Sequence, residues 1–298
     1  MEKYIDLHMH TIISDDGEFE PEDLVRMNDE AGIRIMAIAD HNSVRAVERA
    51  QKEAEKRGMT YIPAIEIDCV YNGINLHVLG YGIDVTNPVF ETIEKNVHDQ
   101  ELAASALKLR LTNEQLGFDL TEDQMNTVSA NGVYTGEMFG EVLLKDPRYM
   151  DNELLKPYRE GGARSDNPYV NFYWDFYAQG KPCYTDIKFP SMEETIKNIN
   201  DAGGIAVLAH PGNNLKGQFE VFDEMVAKGM QGVEAFSSYH AKETNEYFYD
   251  RAKKFDVLYT CGSDFHGKTK PAIHLGEMGC FIDEHEIEDK LRAYGLIK

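Results

Sequence analysis

The chain has 298 residues, 42% hydrophobic and 28% charged, an ordinary balance for a soluble globular protein with room for one α/β domain and an insertion. Thirty basic residues against 52 acidic ones leave a net charge of −22, which excludes a basic groove for long nucleic acid and an anionic membrane as partner. No apolar run approaches the roughly 20 residues of a membrane helix, and "MEKYIDLHMH" turns polar where a signal peptide would stay hydrophobic.

In chain order, "YIDLH" (4–8) reads as a first strand and "PEDLVRMNDEAG" (21–32) as a helix opened by Pro21 and closed by Gly32. "IRIMAIA" (33–39) is a second strand, "SVRAVERAQKEAEKRG" (43–58) a second helix, and "TYIPAIEI" (60–67) and "LHVLGYG" (76–82) are further strands. From about 86 to 185 strand signals vanish and polar, helical segments take over, with "KDPRYMDNELLKPYREGGARSDNP" as a loop-rich connection. The alternation then resumes: "MEETIKNINDAGG" helix, "IAVLAH" strand, "FEVFDEMVAKG" helix, "GVEAFSS" strand, "AKETNEYFYDRAKKF" helix and "VLYTCGSD" strand. Strand–helix alternation of this length argues for a parallel sheet closed as a β/α barrel formed by residues 1–85 and 186–298, with 86–185 as an inserted helical cap over its mouth. Cys69, Cys183, Cys261 and Cys280 show no Cys-x-x-Cys spacing, so free thiols in a reducing cytoplasm are expected.

Strand side chains alternate, so His8 and His10 project to one face of an otherwise apolar strand, the spacing of a metal-binding pair. Asp40 and His41 end the second strand in "AIADHNS", Glu66 lies near the end of the third in "IPAIEID", and His77 begins the next. His210 ends "IAVLAHPG", and Asp264 with His266 end "CGSDFHG". Each has an ordinary reading alone: Asp40 as a helix cap, Asp264 as a turn residue, Glu66 as an arginine partner, His77 as a core histidine. Their joint placement decides. Six of the ten histidines fall in these spots, mostly at the carboxyl ends of strands, where β/α barrels assemble their sites. His98 and His285 lie in polar surroundings, while His240, just after "EAFSSY", is a candidate for touching substrate and His274 for the rim.

In order, "DLHMHT", "SDDG", "ADHNS", "AIEI", "LHVLGY", "LAHPG" and "GSDFHG" resemble the motifs of the PHP (polymerase and histidinol phosphatase) family of metal-dependent phosphoesterases. The resemblance runs from residue 4 to about 270, and is closest to stand-alone members with a helical insertion. It implies a distorted (β/α)7 barrel holding two or three divalent ions, and a substrate among small phosphomonoesters, nucleoside bisphosphates or the ends of short oligonucleotides. Carried over, it makes His8, His10, Glu66 and Asp264 a first metal set, with Glu66 bridging to an ion held by His77 and His210. A third position would involve Asp15, His41 and His266, with Asp40 beside it. Members usually read Ser-Asp-Gly after the histidine pair; here "SDDG" offers two acids, counting from His10 selects Asp15, counting back from Gly17 selects Asp16, and Asp15 is taken. Related caps often carry Arg-Pro-His, whereas "NGVYTGEMFGEVLL" holds none of the three.

Nitrogen and oxygen donors without thiolate suit Mn, Fe or Zn. Two such ions would hold a bridging hydroxide, lowering the pKa of water from about 16 to about 7, and neutralise phosphate oxygens. The expected reaction is hydrolysis of a small phosphomonoester, a nucleotide or nucleoside 3',5'-bisphosphate. Asp40, Asp264 and His266 are the expected catalytic side chains, the leaving alkoxide taking its proton from His266, Asp264 or bound water. Phosphate also needs fixed cations, and the candidates are Arg148 and Arg164 in the cap and Lys181 at its return, with Arg110 and Arg159 as further options. In "YVNFYWDFYAQ", Tyr169, Phe172, Tyr173 and Phe176 are expected to dock a cap helix rather than to stack on a base. The rival activities are a 5'-3' exonuclease on short RNA or DNA, a catalytically silent metal-binding module and an amide hydrolase.

Overall fold

The structure, a computed structural model, describes residues 3–298. Its eight strands lie in two sheets. The first is parallel and short: β1 (Ile5–Asp6), β2 (Ile35–Met36) and β3 (Thr60–Tyr61). The second runs in the order β4 (Ala64–Tyr71), β5 (Ile74–Tyr81), β6 (Ile205–Leu208), β7 (Gly232–Ser237) and β8 (Leu258–Gly262).

The second sheet is mixed, which corrects the expectation of a uniformly parallel one. β5 is antiparallel to both β4 and β6, whereas β6, β7 and β8 are parallel. The cause is local: Asn72 and Gly73 both have positive φ (49° and 78°), the two-residue turn that returns a chain on itself as a hairpin and leaves no room for a crossover helix. A single predicted strand, 60–67, is accordingly split, its end joining the hairpin.

The sheets meet at both edges through isolated bonds. On one side Leu7 donates to Cys261 (3.0 Å), Asp264 to the carbonyl of His8 (2.7 Å), and Met9 bridges Phe265. On the other His41 bridges Glu66, and Asn42 donates to the Glu66 carbonyl (2.7 Å). Among the described residues no continuous ladder closes the circle, so a closed barrel is not found, and the two sheets are joined by isolated bridges instead.

Helices cover the outside. Pro21–Glu30 and Val47–Lys56 fall within the segments read as helical and bury Leu24, Val25 and Ala50 against Met36 and Met59. The central core packs Ile5, Leu7, Ile65, Val78, Val207 and Val233 beneath Phe222 and Phe248. At about 25 cal/mol per Å² of apolar surface, this burial is the main term holding the strands together.

The 86–185 stretch contains no strand, and builds its own core from Met125, Phe139, Leu143, Leu155 and Phe172. Its long helix, Pro88–Leu116, begins where the Asn87 side chain accepts from the Val89 N–H (3.1 Å) and ends at left-handed Gly117. Among the described residues, no helix is long and apolar enough to cross a membrane.

Gly262 closes β8 where it passes β1. A Cβ there would overlap the Cβ of His8 and the Glu234 carboxylate. Gly262→Ala is therefore expected to cost about 1–3 kcal/mol, read as a lowered thermal unfolding midpoint. An unchanged midpoint would show that the two strands have slack.

Candidate functional site

Past β1 the chain stays extended, and alternation sorts it: Leu7 and Met9 enter apolar cores while His8 and His10 turn to the other face. Both imidazoles are fully buried, their Nε2 atoms 3.1 Å apart. Glu66, on β4, is fully buried among them. Its Oε2 lies 3.1 Å from Nε2 of His8, 3.1 Å from Nε2 of His10 and 3.2 Å from Nδ1 of His41. Its Oε1 lies 3.0 Å from Nδ1 of His77 and 3.0 Å from Nε2 of His210. From the end of β8, Asp264 brings Oδ1 to 3.1 Å from His10 Nε2 and 3.4 Å from His8 Nε2. The ring of His266 stacks on His10 with centroids 3.9 Å apart, and its Nε2 is 3.2 Å from Asp16 Oδ2.

These side chains form three overlapping sets whose donor atoms lie within 4.8 Å of one another: His8, Glu66, His210 and Asp264; His10, Asp16, His41 and His266; and His41, Glu66 and His77. The sets fit divalent ions by a further criterion. Glu66 Oε2, Asp264 Oδ1, Asp16 Oδ1 and His41 Nδ1 are buried without any hydrogen-bond partner, and all four belong to the sets. Leaving such atoms bare costs about 1–3 kcal/mol each, more where charged, and an ion accepting their lone pairs removes that cost.

Local charge is balanced by protons when no ion is bound. Burial opposes charge on His8, but the carboxylates of Glu66, Glu234 and Asp264 outweigh it and hold this imidazole well above its ordinary pKa. Burial likewise opposes charge at His10 and His77, yet neighbouring acids, Glu66 among them, raise both to about 9. At His41 burial wins, pushing it down to about 4. Divalent ions held by these side chains would require the imidazoles in their neutral form.

A second layer fixes the rings. Glu234 Oε1 sits 3.0 Å from Nδ1 of His8 while its Oε2 accepts from the His210 backbone N–H (2.8 Å), so one carboxylate fixes the His8 ring and the backbone that carries His210. Asp68 Oδ1 lies 3.0 Å from Nε2 of His77, its direct partner across the hairpin. Asn214 Oδ1 meets Nδ1 of His210 at 2.5 Å. His210 and Asp264 themselves have positive φ (22° and 56°), strain that only a surrounding structure of this rigidity sustains.

The structure brings together His8, His10, His41, Glu66, His77, His210, Asp264 and His266 as the sequence suggested, and corrects other assignments. Asp15 is replaced by Asp16: the turn from Thr11 to Gly17 folds back on itself, swinging Asp16 toward His266 and leaving Asp15 to accept from Asn131 (2.8 Å). Asp40 lies outside the three donor sets and braces a turn instead. It accepts from the Thr11 N–H (2.7 Å), the Thr11 hydroxyl (2.8 Å) and the Ser14 hydroxyl (2.8 Å), and so shapes that turn. His240 faces away from the cavity, its Nε2 accepting from the Gly212 N–H (3.0 Å) beneath the His210 loop. Arg148 is clamped by Asp146 (2.7 Å) and Arg164 by Asp175 (3.0 Å), and neither these nor exposed Lys181 lines the cavity over the cluster.

That cavity measures about 370 Å³. Asp16, His41 and His77 lie on its floor, and Val97, Val133, Tyr173, Trp174 and Phe189 contribute its apolar wall. Of the aromatic run, Phe172, Tyr173 and Phe176 pack in the helical segment's own core rather than docking it on the strands, and Tyr173 with Trp174 also lines the cavity. Thr135, Gly136 and Glu137 line it from the segment that lacks Arg-Pro-His. Sequence reasoning weighed Asp16 but preferred Asp15, and it missed Asp68, Glu234 and Trp174. Glu234 had a signal, being the single acid inside the apolar strand "GVEAFS".

Buried imidazoles and carboxylates converging where strands end in a mixed α/β fold define a metal-dependent hydrolase. The chain belongs to the PHP domain family, whose model matches residues 6–166. It is 26% identical over 272 residues to a 5'-3' exoribonuclease of Haemophilus influenzae, which covers 89% of this chain and 91% of that one. A 3',5'-nucleoside bisphosphate phosphatase of Chromobacterium violaceum is 25% identical over 282 residues, 91% of this chain and 90% of its own. A candidate metal-dependent phosphoesterase of Bifidobacterium adolescentis superimposes with a TM-score of 0.75 at 25% identity, over 98% of this chain and 96% of that one.

The two adjacent acids separate cleanly by experiment. Asp16→Asn should lower bound manganese or zinc, measured by elemental analysis, while Asp15→Asn should keep the wild-type content. The reverse pattern would restore Asp15 to the site.

Proposed function

We propose that this protein is a metal-dependent phosphoesterase that hydrolyses a small phosphomonoester, a nucleotide or nucleoside 3',5'-bisphosphate. The observation that carries the reading is the Glu66 carboxylate, buried among five imidazole rings and shared by two donor sets, beneath a cavity of about 370 Å³. His8, Glu66, His210 and Asp264 would hold one ion, His10, Asp16, His41 and His266 another, and His41, Glu66 and His77 a third. Their nitrogen and oxygen donors suit Mn, Fe or Zn. Such ions, when bound, supply a water acidic enough to react at neutral pH and neutralise the charge of phosphate oxygens.

The chain's own residues do the rest. Glu234 and Asp68 orient the imidazoles, and the 86–185 segment, acting as a cap, shields the cluster from bulk water. Tyr173 and Trp174 offer ring faces against which a nucleobase stacks. A cytoplasmic setting suits the four free cysteines, and the charge of −22 suits a small substrate over a long polymer. The second reading, exonuclease action on short oligonucleotides, draws on the relative named 5'-3' exoribonuclease.

Protein loaded with Mn, Zn or Fe should release phosphate from nucleoside monophosphates or 3',5'-bisphosphates, and Glu66→Ala should reduce release to background. Activity confined to 5'-phosphorylated oligonucleotides would favour the exonuclease. Absence of hydrolysis with metal bound, across these substrates and histidinol phosphate, would defeat both.

Trp174 is the chain's one tryptophan, so nucleotide binding should quench intrinsic fluorescence directly. Trp174→Leu should raise KM for a nucleotide about tenfold, the worth of one stacked base, and leave KM for a phosphomonoester without a ring unchanged. Equal KM shifts for both substrates would assign Trp174 to packing alone.

A further inference from the structure

A phosphate brought to this cavity needs a fixed cation, and the basic side chains around it differ in whether their acidic partner belongs to the donor sets. Arg45 pairs with Glu94, and Lys108 with Glu101. Lys216 lies exposed on the rim. Lys270 is different. It is only 6% exposed, lines the cavity, and places Nζ 2.7 Å from Asp264 Oδ2 and 3.5 Å from His266 Nε2, 5.2 Å from the centre of the Tyr239 ring. Both residues it meets belong to the donor sets.

The position is built, not incidental. Lys270 follows a 3₁₀ turn, Gly267–Thr269, and its N–H donates to the Gly267 carbonyl (3.0 Å). Thr269 donates its hydroxyl to the carbonyl of Asp16 (2.6 Å), and Lys268 donates its N–H to Glu18 (2.6 Å). The turn thus ties Lys270 to the loop that presents Asp16. Asp264 is divided between two tasks: Oδ1 faces His8 and His10, while Oδ2 holds the ammonium.

Asp264 answers this ammonium now, but an ion drawing on the same carboxylate would leave the ammonium less neutralised and ready to meet an anion. An ammonium also has three protons, of which Asp264 accepts one. We infer that Lys270 is the protein's own contact with the substrate phosphate, Nζ donating to a non-bridging oxygen while the ions hold the others. This rests on the phosphoesterase reading and supplies the clamp that Arg148, Arg164 and Lys181 do not.

The test needs no turnover. Metal-loaded wild type, Lys270→Met and Lys270→Arg are titrated with inorganic phosphate by calorimetry, and their metal content is measured in parallel. Lys270→Met should bind phosphate at least about tenfold more weakly with metal content unchanged, and Lys270→Arg should recover most of the affinity. Phosphate affinity equal to wild type, or weakening that follows only from lost metal, would overturn the assignment and make Lys270 a brace for Asp264. If Lys270→Met does not fold, Lys270→Gln, which keeps a donor but loses the charge, is read in the same way. Wild type and variants that differ in phosphate affinity, with wild type hydrolysing no ester, would support Lys270 while defeating the phosphoesterase reading.

Discussion

One buried carboxylate organises this protein. Glu66 lies at zero exposure with imidazole nitrogens on both oxygens, an arrangement that would be prohibitively costly if its charge were unanswered. Several elements contribute to answering it: His8 and His10 follow β1, His41 follows β2, His77 lies on β5 and His210 follows β6. The outer carboxylates, Glu234 and Asp68, keep those rings in place, and Asp40 keeps the Thr11–Ser14 turn in place. The layers are concentric: charge at the centre, ring donors around it, and braces outside them.

Much of that centre was legible in the chain, because alternation on a strand and position at a strand end are local properties. The His8–His10 pair, Glu66, and the Asp264–His266 pair are visible for that reason. Other features depend on contacts between distant segments. Whether Asp15 or Asp16 turns inward is settled by three hydrogen bonds from a turn to Asp40 on a different strand end, information that no local pattern carries. Glu234 looked like an ordinary strand residue until His8 and His210 were brought to its two oxygens. The inverted hairpin was a different kind of miss, since Asn72-Gly73 is a readable turn signal, outweighed by the strand–helix rhythm around it. The phosphate-binding cations failed because surface arginines acquire partners of their own, such as Asp146 and Asp175, that sequence does not reveal.

The helical segment changes what the cluster can do. It has its own apolar core, so its cavity-facing residues are placed by packing that is independent of the strands. Tyr173 and Trp174 face the cavity on the same helix whose Phe172 is buried in that core. Ring faces on one wall and cation-binding groups on the floor divide the space into an apolar half and a charged half, the arrangement a small amphiphilic anion requires. The net charge of −22 adds a constraint: the protein's overall field repels polyanions, so attraction for an anion has to be local to the cluster.

The distribution of donors along the polypeptide also governs when they can meet. His8 precedes the helical segment and His266 follows it, yet their rings belong to the same nest as Glu66. Neither flank alone holds a complete donor set of four, so the cage exists only once the segments on both sides of the insertion have folded together.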